Sequence, residues 1–265
     1  MRGAVRNASA IGVFDSGVGG LSVLRHIRAQ LPSLPLLYVA DSGHVPYGDK
    51  TQDYIRERSL VLTEFLVRQG AAVVVIACNT ATAAAAAPLR ARFDVSIIAM
   101  EPAVKPAVSA TRSGVVGVLA TVGTLESARF AALLEQYAGD VEIVTQACPG
   151  LVEQVEAGDL ESAATRELVA RYARSLVERG ADTIVLGCTH YPFLKPLITK
   201  LVGPGVQLID TGEAVARQVV RRLPEALIGR IDAQPTERFW TTGNGRSAAR
   251  IMSHLWGRVV DVTPL

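Results

Sequence analysis

Val73-Val74-Val75-Ile76-Ala77-Cys78-Asn79-Thr80 is an apolar, β-branched run that closes on a thiol and two small polar residues. A second run, Thr183-Ile184-Val185-Leu186-Gly187-Cys188-Thr189-His190, has the same form. Runs of this length and composition, each with a helical pattern beyond, predict buried strands of an α/β sheet. Each cysteine then stands at the carboxyl end of its strand, where open α/β sheets bind ligands. A single cysteine there would be ordinary, because a free thiol usually behaves as a small hydrophobe. Two in matching contexts point to a pair of reactive thiols facing one substrate.

The two runs belong to a larger repeat. The cysteines lie 110 positions apart, and Ile11-Gly12-Val13-Phe14-Asp15-Ser16 aligns with Val116-Gly117-Val118-Leu119-Ala120-Thr121 at an offset of 105. In the first half the pattern predicts strands near 11–14 and 36–40, a helix from about 21, and a long helix over 52–69 before the cysteine strand. In the second half it predicts strands near 114–119 and 141–145, a helix from about 124, and a long helix over 161–179. Strand and helix alternating on this scale make βαβ units with mainly parallel sheets. Two units this long are a duplicated domain, not a solenoid.

At 265 residues the chain has room for one large domain or two of ordinary size. Its mean hydropathy of +0.27 fits sheets covered on both faces. The longest apolar strand run, Ala71 to Cys78, is far too short to span a bilayer. Met1-Arg2-Gly3-Ala4-Val5-Arg6-Asn7 lacks the apolar core of a leader peptide. A cytoplasmic protein is expected, with no membrane association. A net charge of +2 argues against a nucleic-acid partner, since Arg166, Arg171, Arg174 and Arg179 are spaced as a solvated helix face. Three cysteines without a CxxC pair suit a reducing compartment. Cys78, Cys148, Cys188 and His190 lack ligand-pair spacing, so no metal is expected.

The loops carry the polar chemistry. Asp15-Ser16-Gly17-Val18-Gly19-Gly20 joins a strand to a helix, and its glycines would let backbone N–H groups approach an anion. Such a turn is by itself ordinary, but Asp15 adds a carboxylate that can receive an ammonium or orient a catalytic group. Asp41-Ser42-Gly43-His44-Val45-Pro46-Tyr47-Gly48-Asp49-Lys50-Thr51 reads either as a surface turn or as a wall over the site. Ser16, Asn79, Thr80, Thr121 and Thr189 are neutral donors near the strand ends. Any one threonine is more simply a helix cap; their concentration around both cysteines suggests a ligand whose carboxylates are held by hydroxyls and backbone. A thiol just before a helix start is expected to have a lowered pKa. His190, two residues past Cys188, is a supporting proton partner. Two thiols on opposite faces of a planar carbanion would invert a stereocentre.

Val13-Phe14-Asp15-Ser16-Gly17-Val18-Gly19-Gly20, Pro46-Tyr47-Gly48, Ala77-Cys78-Asn79-Thr80 and Gly187-Cys188-Thr189-His190-Tyr191-Pro192 together resemble the cofactor-independent glutamate racemases, from about residue 10 to the carboxyl end. The resemblance implies interconversion of L- and D-glutamate, supplying the D-isomer for peptidoglycan, with no cofactor and as a homodimer. It implies two pseudo-symmetric α/β domains, each a mainly parallel sheet flanked by helices, with the active site in the cleft between them. We place them at 1–100 plus 211–265 and at 101–210. By the same resemblance Cys78 deprotonates D-glutamate and Cys188 L-glutamate, with Asp15 and His190 as their polar partners. Ser16, Tyr47, Gly48, Asn79, Thr80, Thr121 and Thr189 match substrate-holding positions, as do Asp15 and His190. Glu156 is similar to a further acidic residue of the family, although Gly150 and Glu153 stand where apolar or proline residues are expected.

Other chemistries fit less well. A pyridoxal-phosphate racemase needs a Schiff-base lysine, and Lys50, Lys105, Lys195 and Lys200 are not at strand ends in a phosphate-cradling context. A cysteine phosphatase needs an arginine near its thiol, but Ala84 and Leu194 occupy the positions six beyond the cysteines. A two-lobed amino-acid binder would leave the paired thiols without a task. Aspartate racemase or a related decarboxylase differs only in the acid turned over.

Overall fold

The computed structural model describes residues 9–228 and 236–265; the stretch Met1–Asn7, read above for a leader, lies outside them. The first series is β1 (Ala10–Asp15), α1 (Leu21–Gln30), β2 (Leu36–Ala40), α2 (Gln52–Arg68), β3 (Ala71–Ile76), α3 (Asn79–Arg92) and β4 (Ser96–Ile98). After α4 (Val104–Ala110) comes a second: β5 (Val115–Ala120), α5 (Val122–Leu125), α6 (Ala128–Tyr137), β6 (Glu142–Ala147), α7 (Leu151–Glu156), α8 (Ala163–Glu178), β7 (Thr183–Leu186), α9 (Lys195–Val202) and β8 (Gln207–Ile209). The chain then returns to the first sheet through α10 (Gly212–Arg221), β9 (Glu237–Thr241), α11 (Gly245–Trp256) and β10 (Val262–Pro264).

Every strand pairing is parallel among the described residues. The six-stranded sheet has the order β10-β9-β2-β1-β3-β4, and the four-stranded sheet β6-β5-β7-β8. The order β2-β1-β3-β4 is thus repeated strand for strand, with β9 and β10 added to one edge of the first copy. The glycines aligned by the sequence repeat are equivalent in space as well. A β-carbon on Gly12 would meet Leu66 of α2, and one on Gly117 would meet Leu176 of α8. In each half the long helix presses on the central strand where no side chain intervenes.

β1 and β3 are buried along their whole length, because helices cover both faces of their sheet. Burying a Val or Ile side chain contributes roughly 1.5–3 kcal/mol, so Val73–Ile76 anchor Cys78 through the core. Register brings the strand ends level: Asp15 pairs with Ala40, Phe14 with Ile76, and Leu119 with Leu186. Loops that follow these strands therefore emerge at one edge of each sheet. The helix expected from about 124 is divided instead. α5 stops after Leu125, and the Ser127 hydroxyl accepts from Phe130 N–H to start α6.

Candidate active site

Ala77 N–H donates to Phe14 O at 2.8 Å, which carries the strand one residue past β3. Cys78 follows in extended conformation and is itself the N-cap of α3, its Sγ accepting from Ala81 N–H at 3.4 Å. The sulfur also lies 3.9 Å from Ser16 Oγ. The lowered pKa expected of a thiol before a helix is not found here. Burial pushes the Cys78 thiol well up and the nearby Asp15 charge adds to this, outweighing the Ala81 N–H. The helix end acts on a sulfur already removed from water.

Cys188 has a different setting. No α-helix starts beside it; Tyr191 N–H returns to Cys188 O, one 3-10 turn covers Tyr191–Leu194, and α9 comes only then. Its Sγ lies 3.6 Å from His190 Nδ1, and His190 Nε2 lies 2.6 Å from Glu156 Oε1. That oxygen also accepts from Val18 N–H at 2.6 Å. Burial pulls the imidazole pKa down, but the bonds to Cys188 and Glu156 outweigh it and hold it well above the usual histidine range. The thiol, imidazole and carboxylate form a chain in which each group orients the one before.

The sequence of the glycine turn predicts N–H groups open to an anion. Two of these donors are already taken by protein carboxylates: Val18 N–H by Glu156 and Gly20 N–H by Asp15 Oδ2 at 2.8 Å. What the glycines provide is room. A β-carbon on Gly17 would stand 1.9 Å from Glu156 Oε1, and one on Gly19 would stand 2.3 Å from His190 Nδ1. Asp15 is fully buried, with Thr189 Oγ1 at 3.4 Å from both carboxylate oxygens. Burial raises its pKa to about 6, against the pull of His190 and the Gly20 N–H. Ser22 Oγ donates to Thr189 O at 2.8 Å, tying α1 to the Cys188 loop.

Both sulfurs line one small cavity, with a free volume of about 10 Å³, together with Ser16, Tyr47, Gly48, Asn79, Thr80, Thr121, Thr189 and His190. Asp15 and Glu156 are not in its wall; they stand behind Thr189 and His190. Asn79 is buried, and neither its Oδ1 nor its Nδ2 has a partner within the protein. A buried amide left so costs about 1–3 kcal/mol, which a polar ligand in the cavity would recover. Thr80, Thr121 and Thr124 hydroxyls form a triangle with sides of 3.0, 3.2 and 3.0 Å, joining α3 to α5. Thr121 is the N-cap of α5 as well as part of the cavity wall.

Tyr47 reaches the cavity wall with its hydroxyl already committed. It donates to Asp41 Oδ2 at 2.5 Å, and Arg58 binds the same carboxylate through Nε and Nη2 at 3.0 and 2.7 Å. Thr242 completes the set by donating to Asp41 Oδ1 at 2.8 Å. The phenol is thus part of the loop's anchor and not free for a ligand. Sequence reasoning did not single out Thr124, Ser22, Asp41 or Arg58 as site or supporting residues. Thr124 was within reach of it, three positions after Thr121 on the predicted helix. Arg58 was not, because nothing local marks its partner. Among the described residues no group of three His, Cys, Asp or Glu side chains is arranged to hold a metal, and no lysine lines the cavity.

Comparison with known proteins bears on this geometry. The family described as Asp/Glu/Hydantoin racemase matches residues 11–219. A glutamate racemase of Ectopseudomonas mendocina is 58% identical over 259 residues, covering 97% of this chain and 98% of the relative. The crystal structure of a glutamate racemase isoform from Bacillus anthracis superposes with a TM-score of 0.88 at 32% identity, covering 98% of both chains. The Escherichia coli glutamate racemase, solved in complex with L-glutamate and the activator UDP-MurNAc-Ala, superposes with a TM-score of 0.84 at 30% identity over 97% of each chain.

Proposed function

The chain belongs to the glutamate racemases of the Asp/Glu/hydantoin racemase family and is an amino-acid racemase; from that premise we propose that it interconverts L- and D-glutamate through two thiols, without a cofactor. The observation that carries the two-thiol reading is the common cavity: Cys78 and Cys188 both face it, with the unpartnered Asn79 amide beside them. One thiolate removes the α-proton, and the opposite thiol delivers a proton to the other face of the carbanion. Cys78 serves D-glutamate and Cys188 serves L-glutamate. The domain division that suits this cleft is 1–100 plus 211–265 against 101–210.

The chief obstacle is acidity. An amino-acid α-proton is far weaker as an acid than an ordinary thiol, and each pKa unit of mismatch costs about 1.4 kcal/mol. Burial of Cys78 narrows the gap, because a thiol with a raised pKa is a stronger base once ionised. The Asn79 amide, without a partner in the protein, is available to a substrate carboxylate and to the negative charge that develops on it, and the Thr80, Thr121 and Thr189 hydroxyls can turn to it from their protein partners. Asp15 favours a protonated substrate amine. Closing the cleft around the ligand excludes water from a site in which the Glu156–His190–Cys188 chain is already formed.

The product D-glutamate is destined for peptidoglycan, and the enzyme works in the cytoplasm as a homodimer; a monomer at all working concentrations in light scattering would refute the dimer. Substrate choice is tested by circular dichroism of L-glutamate and L-aspartate, each incubated with the pure protein and no added cofactor. Optical activity of the glutamate sample should decay to zero while the aspartate sample holds. Loss of signal from aspartate alone would assign the other acid.

A further inference from the structure

The Gly17–Val18 peptide group is hydrogen-bonded at both of its ends. Its carbonyl, Gly17 O, accepts from Tyr38 Oη at 2.7 Å, and its N–H, on Val18, donates to Glu156 Oε1 at 2.6 Å. Tyr38 belongs to β2 and is fully buried, its ring 6.2 Å from that of Phe239. Glu156 is 138 residues from Val18 and is the last residue of α7, which follows β6 of the second sheet. From Glu156 the chain of contacts continues to His190 and to the Cys188 sulfur.

We infer that Tyr38 is a positioning residue for the Cys188 half of the reaction, acting through the Gly17–Val18 peptide, Glu156 and His190. Donation to a peptide carbonyl polarises the group and strengthens its N–H as a donor. The phenol also fixes the peptide plane, so the N–H stays aimed at Glu156. Glu156 in turn sets the imidazole ring facing Cys188. Two features of the turn fit this purpose. Gly17 and Gly19 leave the space that Glu156 and His190 occupy, and a β-carbon on Gly20 would stand 3.0 Å from the Tyr38 hydroxyl. No comparable chain reaches Cys78, whose sulfur contacts only Ser16 and the Ala81 N–H among the hydrogen bonds described. Among the hydrogen bonds described, the path from Tyr38 leads to Cys188 and none leads to Cys78.

This inference rests on the two-thiol reading, and the experiment separates the two. L- and D-glutamate are equal in free energy, so any slowing must appear equally in kcat/KM for both directions. The step that is slowed shows in the isotope effects. In Tyr38→Phe, kcat should fall about tenfold in each direction, less than the roughly hundredfold or more lost with an acid or base itself, because Tyr38 acts through other groups. The primary effect of α-deuteration should rise for the enantiomer deprotonated by Cys188. It should fall towards unity for the enantiomer deprotonated by Cys78, where reprotonation by Cys188 now limits. Glu156→Gln should move both effects the same way. A general loosening of the fold would lower kcat without this divergence, and parallel or unchanged isotope effects overturn the inference.

A second readout does not depend on the phenylalanine variant folding. In the wild-type protein the His190 Nε2 proton should give a downfield NMR resonance, identified by its loss in His190→Asn. Replacing Tyr38 with 3-fluorotyrosine, a stronger donor of nearly the same shape, should shift that resonance; a stationary signal overturns the inference. If the wild-type protein racemises neither acid, the functional reading fails instead.

Discussion

Gly17 and Glu156 are in such close approach that a single methyl group on the first would overlap the carboxylate of the second, at 1.9 Å from Oε1. Glu156 can escape Gly17→Ala only by swinging its carboxylate away, which forfeits its bonds to Val18 N–H and His190. Racemisation by Gly17→Ala should therefore fall about tenfold or more, with a stability loss of about 1–3 kcal/mol as buried polar groups lose their partners. Gly19→Ala should be more severe, because it meets the His190 ring itself. Steady-state kinetics alongside thermal melts separates the two effects, and a fully active Gly17→Ala would show that the Glu156 contact is idle.

The two thiols should be individually indispensable. Cys78→Ala and Cys188→Ala should each lower racemisation by about a thousandfold or more. Slow α-proton exchange on a single enantiomer is the most that either should retain. Proton NMR in deuterium oxide, run separately on L- and D-glutamate, reads both quantities. Racemisation at the normal rate in either variant would refute the two-base assignment.

Asp15 should leave a mark on stability as a function of pH. Burial raises its pKa from 3.8 to about 6 in the folded protein. Between those values the native state holds a proton that the unfolded chain has released, so the contribution is complete below pH 3.8 and is lost as pH rises through 6. Asp15→Asn is neutral throughout and lacks this slope. Relative to wild type it should gain up to about 3 kcal/mol between pH 4 and pH 7. Urea denaturation across that window measures the difference; a constant offset would place the proton elsewhere.

Arg58 should matter to a loop it does not belong to. Asp41 is fully buried, and Arg58 is its only cationic partner among the described residues. Arg58→Met strands that carboxylate and should cost about 2–3 kcal/mol, toward the low end for a broken pair because Arg58 is partly exposed. Arg58→Lys should recover only part, since an ammonium cannot repeat the two-pronged contact. The KM for glutamate should rise in both, as the Tyr47–Gly48 wall loosens. Unchanged stability in Arg58→Met would show that Tyr47 and Thr242 suffice to hold Asp41.

The strands that build the cleft were legible because β1, β2, β3, β5 and β7 are dense runs of apolar residues closed by polar turns. β4 (Ser96-Ile97-Ile98) and β8 (Gln207-Leu208-Ile209) escaped, since three residues are too few to establish a period. β9 opens on Glu237 and Arg238, charges that hide a strand buried in its second half. The cysteines announced themselves by where their strands ended. The partners of Cys188 were harder to read, because Val18, Glu156 and His190 converge from three separate segments. The glycines misled for a related reason. A sequence shows where a side chain is missing but not what fills the space, and here it is filled by the Glu156 carboxylate and the His190 ring.

The strand order β2-β1-β3-β4, repeated as β6-β5-β7-β8, also bears on impartiality towards handedness. A left-handed and a right-handed acid are equally probable at equilibrium, so no advantage comes from gripping either more firmly. Doubling one half-molecule and setting the copies face to face supplies two comparable jaws at once. Bias between mirror images can then enter through the places where the halves have drifted apart, as Asn79 has from Thr189.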